Sequence, residues 1–236
     1  STERMTGVHR DTIMRLLTKT GNTCQRIMDD KVRDFHCKHI QVDEIWSYVL
    51  KKDKHLTKEE KLSGQFGSQF CYVAMDADSK LVPNYLIGKR DLETSIKFIA
   101  DLQDKIKNNG RVQVTSDGWQ AYPEAIEQAF GGEIDFAQLI KVYTGEKTGQ
   151  RRYSPPSIKG ILSKIINGMP NPKHISTSFI ERQNLTMRMS MRRFTRLTNA
   201  FSKKLENLKA AVALHFYHYN FMRRHRSLRV TPAMAA

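Results

Sequence analysis

Three carboxylates stand where acidic side chains are least expected. Asp43 lies inside the strand-like run "HIQVDEIWSYV", where aspartate is disfavoured and costly to bury unpaired. Asp117 ends "VQVTSDG", an apolar run that opens into a turn, and crevices at the ends of parallel strands are where α/β sheets bind ligands. Glu181 begins a run, "IERQNLTMRMSMRRF", that otherwise carries arginines, apolar side chains and small polar ones. Chemistry on phosphates that employs Mg2+ or Mn2+ needs a few hard oxygen ligands brought together from different elements. A strand interior, a strand end and a helix start can supply them.

Other acids have simpler readings. Asp76 and Asp78 belong to a hairpin turn, Asp135 begins a strand, and Glu124 and Glu127 sit on the outer face of a helix. Glu44 follows Asp43 and, by strand alternation, faces the other way, which makes it structural or a support behind the ligands. An ordinary surface ion pair between Glu181 and Arg188 or Arg192 is worth a few tenths of a kcal/mol. It leaves the aspartate in the strand unaccounted for, whereas convergence on a metal accounts for both.

The elements that must position these groups follow from periodicity. "TGVHRDTIMRLLTKTG" places a turn at Thr6-Gly7 before a helix whose Ile13, Leu16 and Leu17 form an apolar face. This is the second half of a helix-turn-helix, with Arg10, Arg15 and Lys19 free to meet DNA. From His39 the pattern changes to strands. "QFCYVAMDADSKLVPNYLIG" reads as a hairpin, Leu92 to Ile106 as a helix, "RVQVTSDGW" as a short buried strand, "YPEAIEQAF" as a helix and "FAQLIKVY" as a strand. Three consecutive strands followed by alternating helices and strands give an α/β fold with a mixed five-stranded sheet flanked by helices. Between 143 and 178 lies a basic Gly/Pro-rich stretch containing Arg151 and Arg152, expected to be a flap near a phosphate backbone. The remainder is helical. One helix carries Ile180, Met187, Met191 and Phe194 on one side and Glu181, Asn184, Arg188 and Arg192 beside them; another carries Leu205, Leu208, Val212, Phe216 and Tyr219.

The charge balance points the same way. The 236 residues hold 39 Lys and Arg against 24 Asp and Glu, a net charge of +15. From Arg182 onward there are twelve basic residues and one acid, Glu206. Residues 40 to 181 are nearly neutral, so a folded body is flanked by elements suited to a polyanion, nucleic acid first among them. Cys24, Cys37 and Cys71 show neither metal-ligand nor disulfide spacing, and fit idle thiols in a reducing cytoplasm. No run is long and apolar enough to span a membrane and no signal peptide is visible. The opening "STERM" lacks an initiator methionine, as expected of a trimmed chain or a fragment.

The segments "QVDEIWSYV", "TSDGWQAYPEAI" and "STSFIERQNLTMRMSMRRFTRLTNAFSK" together resemble the transposases of the bacterial insertion-sequence-one type, members of the DDE recombinases. The resemblance runs from about His39 to the C-terminus, and "FIERQNLTMR" is its most specific part. It implies a ribonuclease-H-like catalytic domain over 39–200, preceded by a helix-turn-helix segment over 1–38 and followed by a basic helical extension over 201–236. It further implies that Asp43, Asp117 and Glu181 hold Mg2+ or Mn2+, two ions in all. The expected partners are transposon terminal inverted repeats and target DNA, the expected assembly a homodimer or larger, and the expected place the bacterial cytoplasm at the nucleoid. Trp119, Asn184, Arg188, Arg192 and Arg193 are the expected DNA contacts near the cut, and His174 and His225 candidate assistants. Two rivals stay open on the sequence: a structure-specific nuclease of the same fold, and a domesticated DNA-binding protein without catalysis.

Overall fold

The computed structural model describes residues 2–107, 110–143, 158–195 and 198–236. Its centre is a six-stranded sheet built from β1 (His39–Val49), β2 (Gly67–Asp76), β3 (Asn84–Gly88), β4 (Val112–Ser116), β5 (Ile134–Tyr143) and β6 (Ile158–Asn167). The order across the sheet is β3-β2-β1-β4-β5-β6. β1 is antiparallel to β2 and parallel to β4, β4 is parallel to β5, and β6 returns antiparallel on the outer edge. The mixed α/β architecture is the one expected of a ribonuclease-H-like core, with one strand more than the five anticipated.

That extra strand lies in the segment expected to be a flap. It was concealed because its residues are exposed on both faces until the last two, and a strand without a buried face leaves no period-two signature. Residues 144–157, including Arg151 and Arg152, lie outside the described residues.

A short α3 (Lys58–Leu62) lies between β1 and β2 in the chain, and longer helices cover both faces. On one side α4 (Leu92–Gln103) and α5 (Tyr122–Phe130) pack on Ile40, Val42 and Val114, burying Phe98, Ile99, Leu102, Tyr122 and Ile126. Asp91 caps α4 by accepting from the Thr94 amide at 2.9 Å, the usual way a short acceptor satisfies a first-turn donor. On the other side α2 (Arg10–Lys31), α6 (Ser178–Ser190) and α7 (Leu205–Tyr217) pack on Ile45, Val49 and Val73. The β2–β3 turn is held by Asp76, whose carboxylate accepts from the amides of Asp78 and Ser79, as a turn aspartate should.

At the N-terminal side a short helix, α1 (Thr2–Thr6), meets α2 across a turn where Gly7 has φ +69°. α2 runs for 22 residues, longer than expected. Its buried side is formed by Gly21, Cys24 and Met28, while Leu16 is 63% exposed and not part of a packed face. The reason is α7, which crosses α2 at Gly21: a Cβ there would lie 2.5 Å from the Ala210 backbone. Leu205, Leu208, Val212 and Phe216 face the core as expected. The late-helix stripe ends sooner than expected. α6 stops at Ser190, and Arg192 to Phe194 form a separate 3-10 turn, so Arg192 does not extend the row of Glu181, Asn184 and Arg188.

Candidate active site

The three sequence-selected carboxylates line one cleft of about 650 Å3. β4 ends at Ser116, opposite Val42 of β1, so Asp117 emerges beside Asp43. Glu181 is brought in by Gln41, two residues before Asp43 on the same face of β1. The buried Gln41 side-chain oxygen accepts from the amides of Phe179 and Ile180 at 2.9 and 3.0 Å. Two first-turn donors of α6 are thereby satisfied by the strand that carries Asp43, and one residue of β1 fixes where the glutamate helix begins.

Each carboxylate is held. Asp43 accepts from the Glu44 amide and from the Asn184 side chain, both at 2.8 Å. Asp117 accepts from the Trp119 amide at 3.0 Å, while the Gln138 amide donates to the carbonyls of Asp117 and Trp119, each at 3.0 Å. Glu181 accepts from Thr177 at 2.6 Å and pairs with Lys141.

Glu44 corrects a sequence expectation. It does alternate to the other face, but β4 ends at Ser116, opposite Val42 and two residues short of the level of Glu44. Oxygens of Asp43, Glu44 and Asp117 lie within 4.8 Å of one another. The Glu44 side chain is 2% exposed; Oε2 accepts from Arg90 at 3.3 Å, and the buried Tyr122 hydroxyl faces the same carboxylate. Arg90 also reaches Asp117 at 3.8 Å and stacks over the Trp119 ring at 4.1 Å.

The electrostatics follow. Burial, then the nearby charges of Asp117 and Glu181, push Asp43 up to about 7. Burial and Asp117 push Glu44 up to about 8. Asp117 is also raised, by burial first and by Glu181, against the Trp119 amide and Arg90. Like charges crowded in a partly dry cleft resist ionising together, and a divalent cation relieves that repulsion. The donor set is all hard oxygen, as Mg2+ or Mn2+ requires, and Glu44, braced by Arg90 and the Tyr122 hydroxyl, adds a further oxygen beside Asp43 and Asp117. The residues therefore fit such an ion.

Of the expected DNA contacts, Trp119 lines the cleft, donates from Nε1 to Ser95 at 3.2 Å and is half-buried. Asn184 is buried and holds Asp43. Arg188, Arg192 and Arg193 do not line it; Arg193 donates instead to Ser202 at 2.9 Å. Arg10, Arg15 and Lys19 are exposed on α2. His174 stacks on His39 with ring centroids 3.8 Å apart, and His225 lines a different cleft. Sequence reasoning missed Gln41, Arg90, Lys141 and Thr177. Thr177, four residues before Glu181, carried the one local signal, since i and i+4 share a helix face.

No family model matches the chain, and no curated protein matches it in sequence. Solved structures similar to it include a chain of the simian T-cell lymphotropic virus intasome, 13% identical with a TM-score of 0.48 over 86% of this chain and 55% of that one. Another is the catalytic core domain of BIV integrase, 14% identical with a TM-score of 0.38 over 83% of this chain and 91% of that one. A third is the piggyBac transposase in a synaptic complex with hairpin DNA, 10% identical with a TM-score of 0.35 over 79% of this chain and 48% of that one. The chain thus spans about half the length of the intasome and piggyBac chains it is similar to.

Proposed function

We propose that this chain is a metal-dependent phosphoryl-transfer enzyme acting on DNA, a DDE-type transposase resembling those of the insertion-sequence-one type. The observation that carries the reading is the convergence of Asp43, Asp117 and Glu181, from three separate elements, on one cleft. The crowding that raises Asp43 and Asp117 accompanies it. The net charge of +15 supports a polyanionic substrate.

Asp43, Asp117 and Glu181 would hold the metal, with Glu44 adding an oxygen. Bound there, divalent ions supply Lewis-acid activation of the attacking and leaving oxygens of a phosphodiester. The protein's own share is placement. Asn184 fixes one oxygen of Asp43, the Trp119 amide fixes one of Asp117, and Thr177 orients Glu181. Arg90, 36% exposed, places a guanidinium where a scissile phosphate must pass, and charge-assisted hydrogen bonds from it strengthen as charge builds on the phosphate. Trp119, whose ring Arg90 overlies, would stack on an unpaired base beside the cut. Cleavage at terminal inverted repeats, joining to target DNA and assembly as a homodimer or larger complete the reading.

The test is Mg2+- or Mn2+-dependent nicking and strand transfer on labelled DNA carrying candidate inverted repeats, comparing the chain with Asp117→Asn and Glu181→Gln. Activity lost in both variants with DNA binding kept is the expected result. Equal activity in all three proteins removes the triad. Cleavage without joined products moves the reading to a nuclease.

A further inference from the structure

Across α6 from the carboxylates lies a second cleft, of about 740 Å3, whose lining includes Arg182, Arg223, Arg224, Arg226 and Arg229 and no acidic residue. None of these five guanidiniums pairs with a carboxylate among the described residues. All five arginines are exposed. Four of them come from one loop that is locked rather than loose. The His225 amide donates to Val230 O and the Arg229 amide to His225 O, each at 2.9 Å, and Arg224 Nε donates to Arg229 O at 2.7 Å. Arg229 holds φ +65° to close the turn, a conformation that costs a side chain something and persists where its surroundings impose it.

Lys80 enters from the β2–β3 turn, its ammonium 3.2 Å from the Phe179 ring centroid, with Asp76 and Asp78 as its acidic neighbours. His225 is held below its usual range by burial and by the charges of Lys80 and Arg223, so the imidazole faces cations. Gln183, 2% exposed, also lines the cleft, and its Nε2 donates to nothing among the described residues. A buried amide donor without an acceptor costs about 1–3 kcal/mol, which an arriving acceptor oxygen recovers.

We propose that this cleft binds the phosphodiester backbone of DNA held outside the carboxylate cleft, with Gln183 Nε2 donating to a phosphate oxygen. Five unpaired guanidiniums exceed what one small anion neutralises, so the ligand is a repeating one. Guanidinium forks match phosphate oxygens in pairs, and a neutral buried donor suits an acceptor-only group. The choice of DNA among polyanions rests on the function proposed above. Because Glu181 and Arg182 are consecutive on α6, DNA bound here is tied rigidly to the position of the third carboxylate.

Binding of a fluorescein-labelled duplex is measured by anisotropy in EDTA over a series of salt concentrations, which separates it from catalysis. Replacing Arg182, Arg223 and Arg226 together by Ala is expected to weaken binding roughly tenfold or more and to reduce the slope of log K against log salt by about 2–3, near 0.9 per lost phosphate contact. An unchanged slope overturns the site. Gln183→Met, nearly isosteric, is expected to lower affinity several-fold while the melting temperature holds or rises; unchanged affinity removes Gln183 from the contact. Stronger binding of single-stranded RNA or of polyglutamate than of duplex overturns the DNA assignment. Mn2+ binding, followed by electron paramagnetic resonance, is expected to be the same in wild type and in the triple variant. Its absence in wild type counts against the metal site and leaves the slope test standing.

Discussion

α6 stands between two clefts that handle charge in opposite ways. On the Glu181 side, carboxylates are half-buried, crowded and each braced by a neutral donor or a cation. On the Arg182 side, guanidiniums are exposed, unopposed and carried by a closed loop. The first cleft is short of positive charge and the second of negative charge. On the readings proposed above, one suits a small, strongly desolvated ion that must sit in one place, and the other an extended anion that remains largely in water. Buried charge demands exact partners, exposed charge only approximate ones.

Several substitutions can break this contrast. The largest effect belongs to Asp43→Asn, which is expected to lower metal-dependent cleavage by about 10²- to 10³-fold or more, the scale of losing one preorganised electrostatic group. DNA affinity in EDTA should stay at the wild-type level; a matching fall in affinity would mean that the two clefts are not separable. Next, Mn2+ at about 100 times its dissociation constant should stabilise the wild type by about 2.7 kcal/mol. Thermal unfolding with and without the ion reads this, and Asp43→Asn should abolish it.

Gln41→Leu touches neither set of charges and tests the shared scaffold. Leaving two α6 amides without their acceptor should cost about 1–3 kcal/mol, a few degrees for each kcal/mol in a chain this long. Mn2+ affinity should drop with it by about 10–100-fold, as when a supporting contact of a metal ligand is removed. Wild-type metal affinity in this variant would show that α6 is positioned by its apolar face alone.

At neutral pH the smallest effect concerns His215, whose Nε2 is buried without a hydrogen-bond partner among the described residues. Burial, His218 and Arg223 hold it down to about 4, from an ordinary 6.5. The unfolded chain therefore takes up the proton first, so stability is full above 6.5 and is lost as pH falls from 6.5 towards 4. The loss should be about 1.4 kcal/mol per pH unit at most, reached only between the two values. The carboxylates of the other cleft, with raised values, act in the opposite sense over about 4 to 8. His215→Phe, which removes only the first contribution, should flatten the acid limb of a melting-temperature profile, and an unaltered profile would clear the imidazole.

Much of this contrast was legible in the residues, and the reasons differ by element. Asp43 announced itself because a charged side chain interrupts an otherwise strand-like run. Asp117 did so because an apolar strand ends at it, and Glu181 because it stands alone among basic and apolar neighbours. These are local signals. Gln41 was invisible: its work is done on amides 138 and 139 residues away, and no periodicity encodes that. Arg90 and Lys141 likewise act across 46 and 40 residues. Glu44 was misjudged because alternation gives a side chain's face but not where the neighbouring strand ends. β6 was missed because it buries almost nothing, and Leu16 was placed inside because helical spacing alone does not say which side a partner helix will take.

The crossing of α2 and α7 at Gly21 bears on the order in which the molecule assembles. Thr18 of α2 donates to Asn207 of α7, 189 residues later, so on a ribosome the earlier helix waits while the whole sheet is synthesised. Closing so long a loop costs entropy that grows only slowly with length, but the closure cannot begin until α7 emerges. α6 emerges before α7, so the carboxylates can be gathered on β1 and β4 while Cys24 and Met28 of α2 still lack their cover. A chain arrested between these two events would hold its acidic residues in place and leave an apolar helix face open to chaperones. Gly21 then governs the final step: any side chain there would meet the Ala210 backbone and delay or prevent the docking that seals the fold.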